Sequence, residues 1–174
     1  MRRSYLLIGI LVAGLTACHE PVEPPKLEDS AMRQLISEPV KAFALTPDDQ
    51  HDLSVLNDYD SRFNDMSDAT EDELIRMREE GALSEDFALL RKQDNVRSAL
   101  LMLKDLNLKT EQGRYIQGLM YDYWQQQQQL YAAKIAGTNS LSQQEIVLQG
   151  IGRFLHAHEQ LEHWQDQYSA NETP

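Results

Sequence analysis

The stretch TEQGRYIQGLMYDYWQQQQQLYAAKIAG, residues 110–137, decides the fold. At about 100° per residue, Ile116, Leu119, Met120, Tyr123, Trp124, Leu130 and Tyr131 fall within about 120° of one another, so the segment is an amphipathic helix. Thr110 is placed to cap its start and Gly137 to stop it. Working toward the C-terminus, Ser142 and Glu145 form a capping box with Leu141 and Ile146 as a hydrophobic staple. That predicts a helix through Val147, Ile151, Phe154, Leu155 and Leu161 to about Tyr168. Working toward the N-terminus, Ser84 caps a helix expected over 85–107, whose run Leu100-Leu101-Met102-Leu103 should make it the most buried of the set. Thr70 with Glu73 reads as a capping box for a short helix that Gly81 ends. Thr46-Pro47-Asp48-Asp49 supplies an N-cap, a first-position proline and early acids for a helix carrying Leu53, Leu56, Tyr59, Phe63 and Met66. Before it, Met32, Leu35, Ile36, Val40 and Phe43 suggest helix, and Pro39 predicts a kink or a division into two short helices. No segment alternates as a half-buried strand does, so the expected fold is all-α, a bundle of four to five helices without a sheet.

The chain start has a different character. Arg2 and Arg3 precede a charge-free apolar run from Tyr5 to Gly14, far shorter than the roughly 20 residues that span a bilayer. The run ends in Leu15-Thr16-Ala17-Cys18, which resembles the lipobox of bacterial lipoproteins. The resemblance implies that residues 1–17 are a cleaved signal peptide and that Cys18 carries a covalent lipid. It also implies attachment to a membrane, with His19 rather than Asp after the cysteine favouring the outer membrane of a Gram-negative envelope. Cys18 is the chain's one cysteine, so no intramolecular disulfide is possible and stability must come from an apolar core. Residues 18–30, with Pro21, Pro24 and Pro25 among acids, read as a solvated tether. Residues 31–168 are the expected helical domain and 169–174 a polar tail.

Charge is uneven. Residues 18–90 hold 19 Asp and Glu against 6 Lys and Arg, whereas 91–174 hold 9 against 8. Such an acidic chain does not suit nucleic acid, nor a basic patch on anionic headgroups. Its acidic half could face a basic protein partner.

Residues that carry chemistry are few. His156, Glu159 and His163 share one helix face and form a candidate surface chelate, while His158 is turned toward Ile151 and Phe154. A second ligand set is missing, so no metal or other cofactor is expected beyond the lipid on Cys18. Acidic runs lack the glycine and ligand spacing of a calcium loop, and no nucleophile elbow, phosphate loop or dinucleotide fingerprint occurs. The expectation is a protein without catalytic activity. For a protein partner, the candidates are Tyr115 and Tyr121, which lie off the apolar stripe, and Gln127, which interrupts it within Gln125 to Gln129.

Leu45-Thr46-Pro47-Asp48-Asp49, Leu108 to Gln112 and Leu141-Ser142-Gln143-Gln144-Glu145 approach a Leu-Thr-x-x-Gln pattern, and Ile116 and Met120 follow the second. This resembles the repeated motif of Spy/CpxP-type periplasmic proteins. The resemblance implies a dimerising helical cradle that holds unfolded envelope proteins or responds to stress and metals. The anchor and the acidic N-terminal half depart from that pattern. The leading expectation is therefore a lipid-anchored adaptor or assembly factor for a membrane machine, with a Spy/CpxP-like chaperone as the alternative.

Overall fold

A computed structural model describes residues 38–138 and 142–172, with side chains in the last helix from Val147 to Asn171. Cys18, the signal peptide, the tether and the apolar positions Met32, Leu35 and Ile36 lie outside the described residues. So do Leu141 and the side chains of Ser142, Glu145 and Ile146, on which the staple and capping box rest. The described chain is all-α, with helices α1 (Asp49–Glu79), α2 (Glu85–Lys104), α3 (Glu111–Ile135) and α4 (Ser142–Glu172) and no strand. None of these helices is long and apolar enough to cross a membrane.

Gly81, Gly137, Ser84 and Thr110 act as read. Gly81 and Gly137 take φ of 68° and 67°, and the amides of Ala82 and Thr138 reach back to the carbonyls of Met77 and Ala133. These are Schellman closures, in which a left-handed residue turns the last amides onto orphan carbonyls. Ser84 Oγ accepts from Phe87 N at 3.2 Å, and Thr110 Oγ1 from Gly113 N at 2.8 Å.

The division of α1 into two helices is corrected. One 31-residue helix runs from Asp49 to Glu79, and Thr70 Oγ1 donates to Met66 O at 2.9 Å inside it instead of capping a new one. Neither Gly nor Pro interrupts 66–73, and α2 braces this half: Arg91 grips Glu73 at 2.6 Å and Asn95 Nδ2 donates to Ser67 Oγ at 3.1 Å. Tertiary contact thus overrides a local cap signal. At the other end the start moves to Asp49, whose carboxylate accepts from Thr46 N at 3.1 Å and Thr46 Oγ1 at 2.6 Å.

Residues 38–46 are not helical but form an arm, so Val40 and Phe43 are not on the helix expected there. The helix expected over 85–107 stops at Lys104, and it is not buried all round, because Leu101 is 57% exposed while Leu100 and Leu103 are buried. At the far end α4 continues through Glu172, so 169–172 extend the last helix rather than form a tail.

The main core joins Leu53, Leu56 and Tyr59 of α1, Leu103 of α2, Ile116 and Met120 of α3, and Ala157, Leu161 and Trp164 of α4. Packing is closest between the sequential pairs α2/α3 and α3/α4, and α1 touches all three other helices. One buried side chain fixes that crossing. The Asp52 carboxylate receives Lys109 N at 3.0 Å, Thr110 N at 2.7 Å and Thr110 Oγ1 at 2.7 Å, so α1 supplies an anion to the N-terminus of α3.

Candidate functional site

Three helices each bring a pair of residues four positions apart to one place. Residues so spaced lie one above the other on a helix face. Tyr59 and Phe63 of α1, Met120 and Trp124 of α3, and Phe154 and His158 of α4 line a cleft of about 200 Å³, with Asp60 and Asn64 also on its wall. Phe63 and Trp124 approach to 4.7 Å between ring centroids, Trp124 and Phe154 to 6.2 Å, and Phe154 and His158 to 4.4 Å. Tyr123 backs the wall, 4.6 Å from Phe154. Such tilted and edge-on pairs fix the rings relative to one another. Phe63, Trp124, Phe154 and His158 are only half-buried, so their rings remain partly open to solvent.

Polar groups punctuate this apolar wall. Tyr59 is buried, and its hydroxyl proton has no acceptor within reach. Burial pushes its phenol well above the usual value, with the nearby Trp124 side chain acting in the opposite direction and the Asp60 charge adding to the rise. The hydroxyl therefore stays protonated at neutral pH. Asn64 Nδ2 donates to Asp60 Oδ2 at 3.3 Å, one turn along the same helix. The neighbouring cation Arg62 is turned to Asp58, at 3.3 Å.

A second polar arrangement holds the arm. Gln160 of α4 is fully buried, its Oε1 accepting from Lys41 N at 2.9 Å and its Nε2 donating to Lys41 O at 2.8 Å. The ammonium of Lys41 lies 4.6 Å from the Phe43 ring centroid and 4.9 Å from that of Tyr115, and 3.7 Å from Glu111.

The arm accounts for two departures from expectation. His156 is not on a polar surface with Glu159 and His163: it is 2% exposed and its Nε2 meets the Tyr115 hydroxyl at 3.1 Å, whereas Glu159 and His163 are exposed. The three therefore do not form a surface chelate, and among the described residues no group of His, Cys, Asp or Glu is placed to hold a metal ion. Tyr115 is not a free contact residue either, because Phe43 covers its ring at 5.6 Å and His156 takes its hydroxyl. Periodicity marked this side of α4 as polar because the arm is held there by polar atoms rather than by an apolar stripe. His158 does pack on Phe154.

Tyr121 is half-buried against the core and borders a shallow depression of about 280 Å³ with Lys104, Arg114 and Asp122, away from the cleft. Gln127 is half-buried, and its neighbour Gln126 faces α4, where a Cβ at Gly150 would come within 2.5 Å of Oε1. The structure thus does not bring Tyr115, Tyr121 and Gln127 together. Asp60, Phe63, Trp124 and Phe154 were missed as a set, and the signal that could have found them was a large ring with a second large side chain four residues away on each of three helices.

No protein-family model, curated protein or solved structure matches the chain.

Proposed function

We propose that this chain is a lipid-anchored protein of the bacterial envelope that acts without catalysis, as an adaptor holding a segment of one protein partner in the aromatic cleft. The observation that carries the reading is the cleft itself. Large rings left half-open gain from an incoming chain: aromatic side chains bury much area with few rotamers and dominate interface hot spots. The lining supports binding better than transformation, since it presents one carboxylate, one imidazole and one phenol without a hydroxyl or thiol nucleophile beside a base. The anchor rests on Leu15-Thr16-Ala17-Cys18.

A photo-crosslinking amino acid at Asn64, exposed on the rim, tests the adaptor in living cells. The expected result is one dominant crosslinked partner, lost when Phe63 and Phe154 are both changed to Ala, and no such partner from a probe at Arg97 on α2. A broad smear of unrelated clients would instead favour the Spy/CpxP-like chaperone. For the anchor, Cys18→Ala should abolish labelling by radioactive palmitate, and retained labelling sinks that part of the reading.

A further inference from the structure

The cleft's chemistry narrows what it would receive. Its volume of about 200 Å³ falls below the roughly 300–1,000 Å³ of pockets that enclose drug-sized ligands, so it has room for one side chain of a larger partner. The wall is aromatic, and the face of an aromatic ring attracts cations. Asp60 stands on the wall with an Asn64 amide beside it, while Arg62 is tied to Asp58. The helix that carries Asp60 holds ten Asp and Glu against three Arg, a field that draws in a positive group. Elsewhere the chain already uses this pairing, with Lys41 poised over the Phe43 and Tyr115 rings.

We propose that the cleft receives one arginine side chain of the protein partner, its guanidinium stacked on the Phe63, Trp124 and Phe154 rings and paired with Asp60. Arginine fits better than lysine because a planar guanidinium lies flat on a ring while its N–H fork addresses a carboxylate. The inference rests on the reading of the cleft as the partner site and adds the chemistry of the occupant.

Nuclear magnetic resonance on the full chain in detergent tests it, with N-acetyl-arginine methylamide as the probe. The neutral, nearly isosteric N-acetyl-citrulline methylamide and the lysine analogue serve as comparisons. The chain has two tryptophans, and fully buried Trp164 is an internal control for Trp124. The arginine compound should move the Trp124 indole signal saturably and leave Trp164 in place, with the citrulline compound binding about fivefold more weakly. Asp60→Asn should weaken the arginine compound by about the same factor without changing helical content, and Asp94→Asn, which touches the ion pair with Arg97 on α2, should not. Equal binding of the arginine and citrulline compounds, tighter binding of the lysine analogue, an unaffected Asp60→Asn variant, or a silent Trp124 each overturns the proposal. If the Asn64 crosslink still captures its single partner, only the arginine assignment falls; if that crosslink fails too, the cleft reading falls with it.

Discussion

Asp52 ties two helices together, because one buried carboxylate answers two backbone amides and a hydroxyl at the start of a different helix. Its removal would leave those donors buried without acceptors, at about 1–3 kcal/mol for an unsatisfied group, and would take a favourable charge from the α3 terminus. Asp52→Ala should therefore cost about 3 kcal/mol. It would be seen as a lowered urea midpoint with an unchanged slope, and a loss under 1 kcal/mol would show that water replaces the carboxylate. Gly113 belongs to the same arrangement, since a Cβ there would stand 2.6 Å from Asp52 Oδ2 and 3.0 Å from Thr110 Oγ1. Both oxygens are held by hydrogen bonds, so neither can swing away cheaply. Gly113→Ala should destabilise by about 1–3 kcal/mol in the same assay, even though alanine is the better helix former by about 1 kcal/mol.

Among the helices, glycine has opposite meanings that sequence alone does not distinguish. Gly118 lies inside α3 with nothing within 4 Å of a built Cβ, whereas Gly81 has equally open surroundings but φ of 68°. Gly118→Ala should raise stability by about 0.5–1 kcal/mol, and Gly81→Ala should lower it by about 1 kcal/mol. Thermal melts of the pair check both signs. The helix ends at Gly81 and Gly137 and the starts after Ser84 and Thr110 were legible because their signals are local: a left-handed residue or a hydroxyl one turn from the amide it accepts. Thr70 was misread because its cap signal is also local, while the bracing of Glu73 by Arg91 and Ser67 by Asn95 joins residues 18 and 28 positions apart. The site was less legible still. Each aromatic pair is visible as part of an apolar stripe, but their meeting depends on how α1 crosses α3 and α4, which no periodicity encodes. His156 was placed on a polar face because Tyr115, which meets its ring, stands 41 positions away on another helix.

At the scale of the molecule, burial raises four phenols above their usual value: Tyr59, Tyr115, Tyr123 and Tyr131. The unfolded chain ionises these tyrosines near the ordinary phenol value of about 10, while the folded chain keeps them protonated. Stability from this source is complete below about pH 10 and is lost as pH rises through the folded values. Alkaline titration should show a late tyrosinate absorbance rise coinciding with loss of helical circular dichroism, and early, independent ionisation of all the tyrosines would contradict it. The grip of Gln160 on Lys41 has a kinetic consequence. It links positions 119 residues apart, so the closing of that loop must follow, not precede, the shorter-range pairing of α2 with α3 and of α3 with α4. A late contact contributes to the barrier against unfolding and almost nothing to the rate of folding. Gln160→Leu should leave refolding from urea nearly unchanged and speed unfolding about tenfold, the effect of losing two hydrogen bonds of ordinary strength. An equal slowing of refolding would place the arm in the folding nucleus. During synthesis the same ordering means that the arm, among the first described residues to be made, waits for the last described helix to emerge before it has anything to hold.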